Sequence, residues 1–303
     1  MIEMNDVQKS FGKTRVINKL SCSISEGSVY GLIGMNGSGK STLFRMIMGI
    51  YHVEGGSIKI DGVETADNEA AKQRLVFVPD DLFFFPGYNA QGMANYYASV
   101  YPLFDYERFY HLCSVLMIDR KKQIHTFSKG MKRKVAIILA LSTGAEYYFF
   151  DETFDGLDPV ARMTVKKVIY EEVASKNVTV IISSHNLREL EDICDQIGLL
   201  HDGGILLQSD LSFLKTKMFK IQVAFSKPLK EEEYPFTVMD KKQSGSVFTY
   251  IVRGDEDGIL KFFNSKKPVV LDLLPLTLEE VFIHEMGVLG YDFKEINVLP
   301  ELR

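Results

Sequence analysis

The chain has little of what would assign it to an oxidising compartment, a membrane or a nucleic acid. Its cysteines are three, Cys22, Cys113 and Cys194, odd in number, far apart and without a C-x-x-C pair. That pattern argues against a disulfide frame and a zinc site and suits a reducing compartment. No apolar run approaches the roughly 18–20 residues that a membrane-spanning helix needs. Val135 to Leu141 is too short and follows a basic run. The opening Met1-Ile2-Glu3-Met4-Asn5-Asp6 lacks the basic-then-apolar pattern of an export signal, so a soluble, cytoplasmic chain is expected. Positive charge is not in excess either. Lys and Arg number 35 against 40 Asp and Glu, a net charge of −5 that makes a poor generic partner for nucleic acid or an anionic membrane surface. Neither an internal repeat nor a low-complexity segment is visible.

What is present has an ordinary globular balance, 46% hydrophobic and 25% charged, over 303 residues, enough for one large or two ordinary domains. Gly34-Met35-Asn36-Gly37-Ser38-Gly39-Lys40-Ser41 has the form G-x-x-x-x-G-K-[ST]. The apolar run Val29 to Ile33 precedes it and Thr42 to Met48 reads as a helix behind it. This strand-before, helix-after context is what separates a phosphate loop from a chance glycine-rich turn. Glycines let successive N–H groups point inward at a phosphate, and the helix dipole adds positive charge there. Lys40 is expected to reach the β- and γ-phosphates and the Ser41 hydroxyl to ligate Mg²⁺.

Upstream, Ile2 to Lys9 and Arg15 to Ile24 read as strands around a turn, Ser10 to Lys13, that carries Phe11. Downstream, Gly55 to Gly62 and Gln73 to Pro79 are strand-like, and Asp80 to Tyr88 is a loop with three consecutive phenylalanines. Those rings either plug a groove or form a contact patch for another protein. Ala90 to Met117 has helical spacing throughout. Ser128 reads as the N-cap of a helix through Val135 to Leu141. Lys129, Lys132, Arg133 and Lys134 crowd that helix's positive end, where the dipole disfavours them, and an incoming anion would explain them.

Glu146 to Phe150 is a buried-type strand closing on Asp151 and Glu152. Beside a phosphate loop, such an Asp is the usual second Mg²⁺ anchor, and Glu152 is placed to act as general base on a water. Phe154 to Pro159 reads as a turn into a helix over Val160 to Val173, with the proline near the helix start. Asn177 to His185 is a second buried strand with a histidine at its carboxyl end, where open α/β sheets bind ligands. Helix Leu187 to Cys194 and strand Gln196 to Leu200 complete an alternation that implies a mostly parallel sheet covered by helices. Beyond Phe213 the texture changes. Phe219 to Phe225, Phe236 to Met239, Val247 to Val252 and Val269 to Leu274 read as strands or apolar runs, Asp255 to Ser265 as a helix, and Lys227 to Pro235 and Lys241 to Gly245 as turns.

In this order the parts resemble the ATP-binding subunit of an ABC transporter, in the branch that powers ABC-2-type exporters. The resemblance covers residues 1 to about 210. It assigns Gly34, Asn36, Gly37, Ser38, Gly39, Lys40, Ser41 and Thr42 to the Walker A motif and Phe149 to Glu152 to Walker B. Gly156-Leu157-Asp158 becomes the D-loop, His185 the switch histidine that senses the γ-phosphate, and Phe11 the aromatic that stacks on adenine. Phe127-Ser128-Lys129-Gly130-Met131 occupies the signature, whose Ser128 and Gly130 would contact ATP held by the opposite subunit. Leu276 to Phe282 looks like a closing segment common in this branch. The implied fold is α/β: a P-loop NTPase core (the ABC ATPase) over 1–212 with a helical subdomain at about 81–145, then a small α+β accessory domain over 213–303.

Three departures stand out. Asp80 replaces the Q-loop glutamine, one methylene shorter and charged, though still able to coordinate Mg²⁺. Lys129 and Met131 replace a glycine and the glutamine of the signature. Thr153 replaces the usual proline. The resemblance implies ATP and Mg²⁺ as cofactors, with Glu152, His185 and Lys40 catalytic and Ser41, Asp151 and Asp80 as metal ligands. Expected partners are a transmembrane permease and a second copy or a paralogous ATPase at the inner face of the cell membrane, and no nucleic acid. The rival class is a soluble ABC ATPase acting on nucleic acid or ribosomes, against which stand the single nucleotide module, the acidic balance and the lack of a long coiled coil or basic linker.

Overall fold

The computed structural model describes residues 1–216, 218–225 and 234–288. Its contacts divide the chain into two units, Met1–Gln208 and Ser209–Arg303, a division that falls ahead of the expected boundary at 212/213.

The first unit opens with strands β1 (Ile2–Phe11), β2 (Thr14–Ile24) and β3 (Val29–Ile33) and helix α1 (Lys40–Ile47). Next come β4 (Gly55–Ile60), β5 (Val63–Glu64), α2 (Glu69–Gln73) and β6 (Leu75–Val78). A helical stretch follows, made of α3 (Ala90–Val100), α4 (Tyr106–Val115) and α5 (Lys129–Leu141). The unit then alternates through β7 (Tyr147–Asp151), α6 (Pro159–Lys176), β8 (Thr179–Ser184), α7 (Leu187–Glu191), β9 (Gln196–His201) and β10 (Gly204–Asp210). Strands β2, β1, β4 and β5 form one antiparallel sheet in that order. The other sheet runs β10-β9-β3-β8-β7-β6, and its pairs β9/β3, β3/β8, β8/β7 and β7/β6 are parallel.

Every residue of β3, β7 and β8 is buried. Near-continuous apolar strands of this kind suit a parallel sheet covered on both faces. Register then does the positioning. Ile33 pairs with Ser184 and Asp151 with Ser183, so three adjacent strands end level with one another at the same edge. Helix α1 is held over that sheet by Phe44, which is fully buried and meets Phe77 of β6 and Phe149 of β7 edge-on at 6.1 and 5.5 Å.

Several expectations need correcting. The helical region from Ala90 to Met117 is two helices. Pro102 cannot donate to a continuing helix, Tyr101 before it is extended, and Asp105 restarts the chain by accepting the Arg108 N–H. Helix α5 begins at Lys129, as the expected N-cap implies, with Ser128 Oγ accepting the Met131 N–H at 3.3 Å. Helix α7 stops at Glu191. The Ser10–Lys13 turn narrows to Gly12 and Lys13, because β1 continues through Phe11.

The second unit holds α8 (Leu211–Thr216), β11 (Met218–Ala224), β12 (Thr237–Ser244), β13 (Val247–Arg253), α9 (Glu256–Ser265), β14 (Val270–Leu274) and α10 (Leu278–Val288). Its antiparallel sheet runs β12-β13-β11-β14 around a core of Ile221, Val223, Tyr250, Val252, Ile259 and Phe263. Lys241 to Ser244, expected as a turn, are strand. They pair with Tyr250 to Val247 at a sheet edge and face solvent, so their polarity reports an exposed edge and not a loop. Of the turns expected between Lys227 and Pro235, residues 227–233 lie outside the described residues. The closing segment is the entrance of α10. There Thr277 and Glu280 exchange backbone and side-chain hydrogen bonds as a capping box.

Phe44→Ala should destabilise the first unit by about 3–5 kcal/mol in urea denaturation. It should also weaken ATP binding, because α1 begins with Lys40. A loss under ~1 kcal/mol would mean that this aromatic triad does not hold the helix.

Candidate nucleotide site

The loop between β3 and α1 owes its shape to glycine at distinct places for distinct reasons. Gly37 and Gly39 have φ of +83° and +106°, the region that strains any side chain. Gly34 is needed for closeness: a Cβ there would lie 2.5 Å from Ser38 Oγ and 2.9 Å from the Leu200 carbonyl. The loop leads directly into the first turn of α1, whose N–H groups and dipole favour an anion.

A cavity of about 330 Å³ opens beside it. Phe11 and Val16, Asn36, Gly37 and Gly39 of the loop, and Lys40, Ser41 and Thr42 at the start of α1 line it, and Asp80 and Glu152 supply carboxylates. Phe11 is 45% exposed; its ring rests edge-on against Tyr51 at 5.4 Å, with Lys9 Nζ over it at 5.6 Å.

Lys40 is almost wholly buried. Its Nζ donates to the Gly34 carbonyl at 2.6 Å and the Met35 carbonyl at 3.1 Å, and lies 3.1 Å from Glu152 Oε1. Glu152 follows β7 with φ of +47°, an uncommon conformation for a residue with a side chain. Ser183 holds it there, accepting the Glu152 N–H through both its carbonyl and its hydroxyl, the latter at 3.0 Å. The other Glu152 oxygen meets His185 Nδ1 at 2.8 Å. Asp151 is 1% exposed; Ser183 Oγ donates to its Oδ1 at 2.6 Å, while Oδ2 has no hydrogen-bond partner among the described residues. A buried carboxylate oxygen without a donor is costly, and a cation or a cation-bound water satisfies such an atom.

The structure thus brings Phe11, Asn36, Gly37, Gly39, Lys40, Ser41, Thr42, Asp80 and Glu152 to one cavity. Gly34, Ser38, Asp151 and His185 do not line it; Gly34 is reached by Lys40 and His185 by Glu152. Ser128 and Gly130 do not line it either. They sit at the tip of α5, where a Cβ on Gly130 would come within 2.7 Å of the Gly156 carbonyl.

The cations at that tip also have a different explanation from the one expected. Lys129 pairs with Asp155 at 3.3 Å, Lys134 with Asp158 at 3.2 Å, and Arg133 with Asp80 at 2.5 Å. Carboxylates of the chain itself, and not only an incoming anion, offset the charge at the helix end. The Asp158 carboxyl lies below its ordinary range, held there first by the Ala161 N–H that it caps and then by Lys134.

Sequence reasoning missed Val16, Ser183 and the inward turn of Arg133. Only Ser183 left a trace, as a hydroxyl where an apolar strand gives out.

A glycine loop from a central parallel strand into a helix, with a carboxylate-ended strand two places away, defines a P-loop nucleotide-binding ATPase. The family profile for ABC transporters matches residues 17–155. The ABC transporter ATP-binding protein YtrB of Bacillus subtilis (strain 168) is 31% identical, over 95% of this chain and 98% of its own. The bacitracin transport ATP-binding protein BcrA of Bacillus licheniformis is 27% identical over 92% and 94%. A solved ATP-binding subunit of an ABC transporter, 26% identical, superposes with a TM-score of 0.65 over 71% of this chain and 92% of its own. The chain belongs to the ATP-binding proteins of ABC transporters. It is an ATPase subunit that energises transport through a separate permease; no helix among the described residues is long and apolar enough to cross a membrane.

Lys40→Ala removes the ammonium from the cavity lining and leaves Glu152 without its counter-charge. ATP affinity measured by calorimetry should fall at least ~30-fold, on the order of 2 kcal/mol for a charge-assisted contact. Unchanged affinity would contradict the assignment of this cavity.

Proposed function

We propose that two such chains, identical or paralogous, clamp two ATP molecules between them and that their closure drives export through an ABC-2-type permease. The single observation that carries this reading is an incomplete site. The cavity gathers Lys40, Ser41 and Glu152, yet Ser128 and Gly130 of the same chain are not among the residues that line it. A second chain would supply them.

In this reading Phe11, with Val16, receives the adenine. The Walker A backbone from Gly34 through Thr42 cradles the phosphates, and Lys40 exchanges its carbonyl partners for β- and γ-phosphate oxygens. The Ser41 hydroxyl and the Asp151 carboxylate would hold Mg²⁺, and Asp151 Oδ2, buried without a partner, fits that role. Asp80, the third expected metal ligand, lines the same cavity, but its Oδ1 is already engaged by Arg133. Bound Mg²⁺ would offset phosphate charge. Glu152 orients and deprotonates the attacking water. His185 engages Glu152 through Nδ1, which leaves Nε2 for the γ-phosphate.

The permease would dock on the ring cluster that follows Asp80. Phe83 is 74% exposed and packs edge-on against Phe85, which in turn meets Tyr88 and Tyr96. Because these rings pack mainly on one another, a contact patch is favoured over a groove plug. This arrangement would place the subunit on the inner face of the cell membrane. Its cargo falls among peptides, drugs and lipids, and relatives named for bacitracin and lantibiotic transport favour a peptide.

Glu152→Gln should keep ATP binding and lower hydrolysis about 10²-fold or more, the usual worth of a positioned base. Sizing chromatography with ATP should show the variant accumulating as a dimer. A monomer that hydrolyses ATP near the wild-type rate would sink the proposal, as would recovery of ribosomes or DNA in place of a multi-span membrane protein in a pull-down.

A further inference from the structure

Arg133 lies on helix α5, which carries Ser128 and Gly130 at its tip, and is not itself among the residues that line the cavity. Its side chain is completely buried. A guanidinium out of water must find acceptors for its donors, and this one finds them on two loops. Nη2 meets Asp80 Oδ1 at 2.5 Å. Nη1 donates to the Asp80 carbonyl at 2.8 Å and to that of Pro79 at 3.4 Å, and Nε to the Asp155 carbonyl at 3.4 Å. Asp80 is the only one of these partners that also lines the nucleotide cavity.

The charges there make this contact consequential. Lys40 is already matched by Glu152 at 3.1 Å, and Asp151 is buried directly behind. An unmatched Asp80 would add a further negative charge to a cavity that must admit a triphosphate. We propose that Arg133 is a positioning residue for ATP: by neutralising Asp80 it sets the charge of the cavity wall that the triphosphate meets, and it fixes the Pro79–Asp80 loop to α5. The contribution runs through Asp80, since Arg133 itself is sealed from the cavity. A neutral residue at position 80 needs no such partner, so the acid and the buried guanidinium form one unit.

This inference rests on the reading of the cavity as the ATP site, and the experiment separates the two. ATP affinity is measured by calorimetry on the full chain, at low and at high salt, for Arg133→Gln, Asp80→Gln, the double variant and Lys40→Ala. Arg133→Gln should weaken ATP about tenfold at low salt, with the gap narrowing as salt screens the exposed carboxylate. Adding Asp80→Gln to it should restore affinity to within about threefold of wild type, which a purely structural arginine would not allow. A double variant as weak as Arg133→Gln, or an Arg133→Gln that binds ATP normally, overturns the proposal. Should Arg133→Gln fail to fold, Arg133→Lys decides. That variant keeps the charge, so affinity within about threefold of wild type upholds the proposal and a tenfold loss overturns it. If Lys40→Ala binds ATP as the wild type does, the cavity reading itself fails. If Lys40→Ala has lost ATP while the Arg133 and Asp80 effects merely add, only the present inference fails.

Discussion

One buried ammonium fixes the geometry of the whole site. Lys40 is the first residue of α1, and its Nζ turns back to the carbonyls of Gly34 and Met35 and across to Glu152. It therefore ties the start of the loop, the start of the helix and the end of β7 to a single point. Burying a charge is expensive, and pairing it seldom yields net stability. Such a contact is better understood as a device for placement. The carbonyl oxygens that Lys40 holds are neutral acceptors, and a phosphate oxygen is a stronger, charged one. A ligand can therefore displace them without any need to rebuild the loop.

Placement of Glu152 depends in turn on the order of strands. Because β3, β8 and β7 are adjacent and parallel, the loop after the first and the carboxylates after the third are separated only by Ser183 and Ser184. Ser183 uses that position fully. Its hydroxyl donates to Asp151 and accepts from the Glu152 N–H, and its carbonyl accepts the same N–H. The left-handed conformation of Glu152 costs on the order of 1 kcal/mol or more. These bonds, with Lys40 and His185 on the two carboxylate oxygens, hold the residue in it. The strain turns the Glu152 side chain toward the cavity while Asp151 remains buried behind.

The parts legible in the sequence were those that backbone chemistry dictates locally. A phosphate loop needs its glycines and lysine at fixed spacing, and buried parallel strands need unbroken apolar runs, so Gly34 to Thr42, Asp151, Glu152 and His185 could be placed from residues alone. Polarity was less reliable. Lys241 to Ser244 read as a turn because nothing local distinguishes a solvated edge strand from a loop, and the helical region Ala90 to Met117 reads as undivided because the break at Pro102 lies inside an otherwise periodic pattern. Long-range contacts left the least trace. Ser183 and Arg133 matter through partners that are 31 or 32 and 53 residues away, Glu152 and Asp151 in one case and Asp80 in the other, and no local pattern encodes such distances.

The tip of α5 shows how the same residues serve opposite needs. Cations at a helix N-terminus oppose the dipole, and an anion from elsewhere would relieve them. Here the chain's own carboxylates, Asp80, Asp155 and Asp158, do so already. Each of those acids belongs to a loop at the nucleotide site or to the turn that follows Glu152. The pair with Asp155 is exposed at both ends and so contributes little to stability, while the pair with Asp158 is exposed mainly at its acid; both fix where the tip stands. Only the Arg133 pair is buried at its basic end, and only its acid reaches the cavity. The cavity wall and the helix that bears Ser128 are therefore joined through one guanidinium.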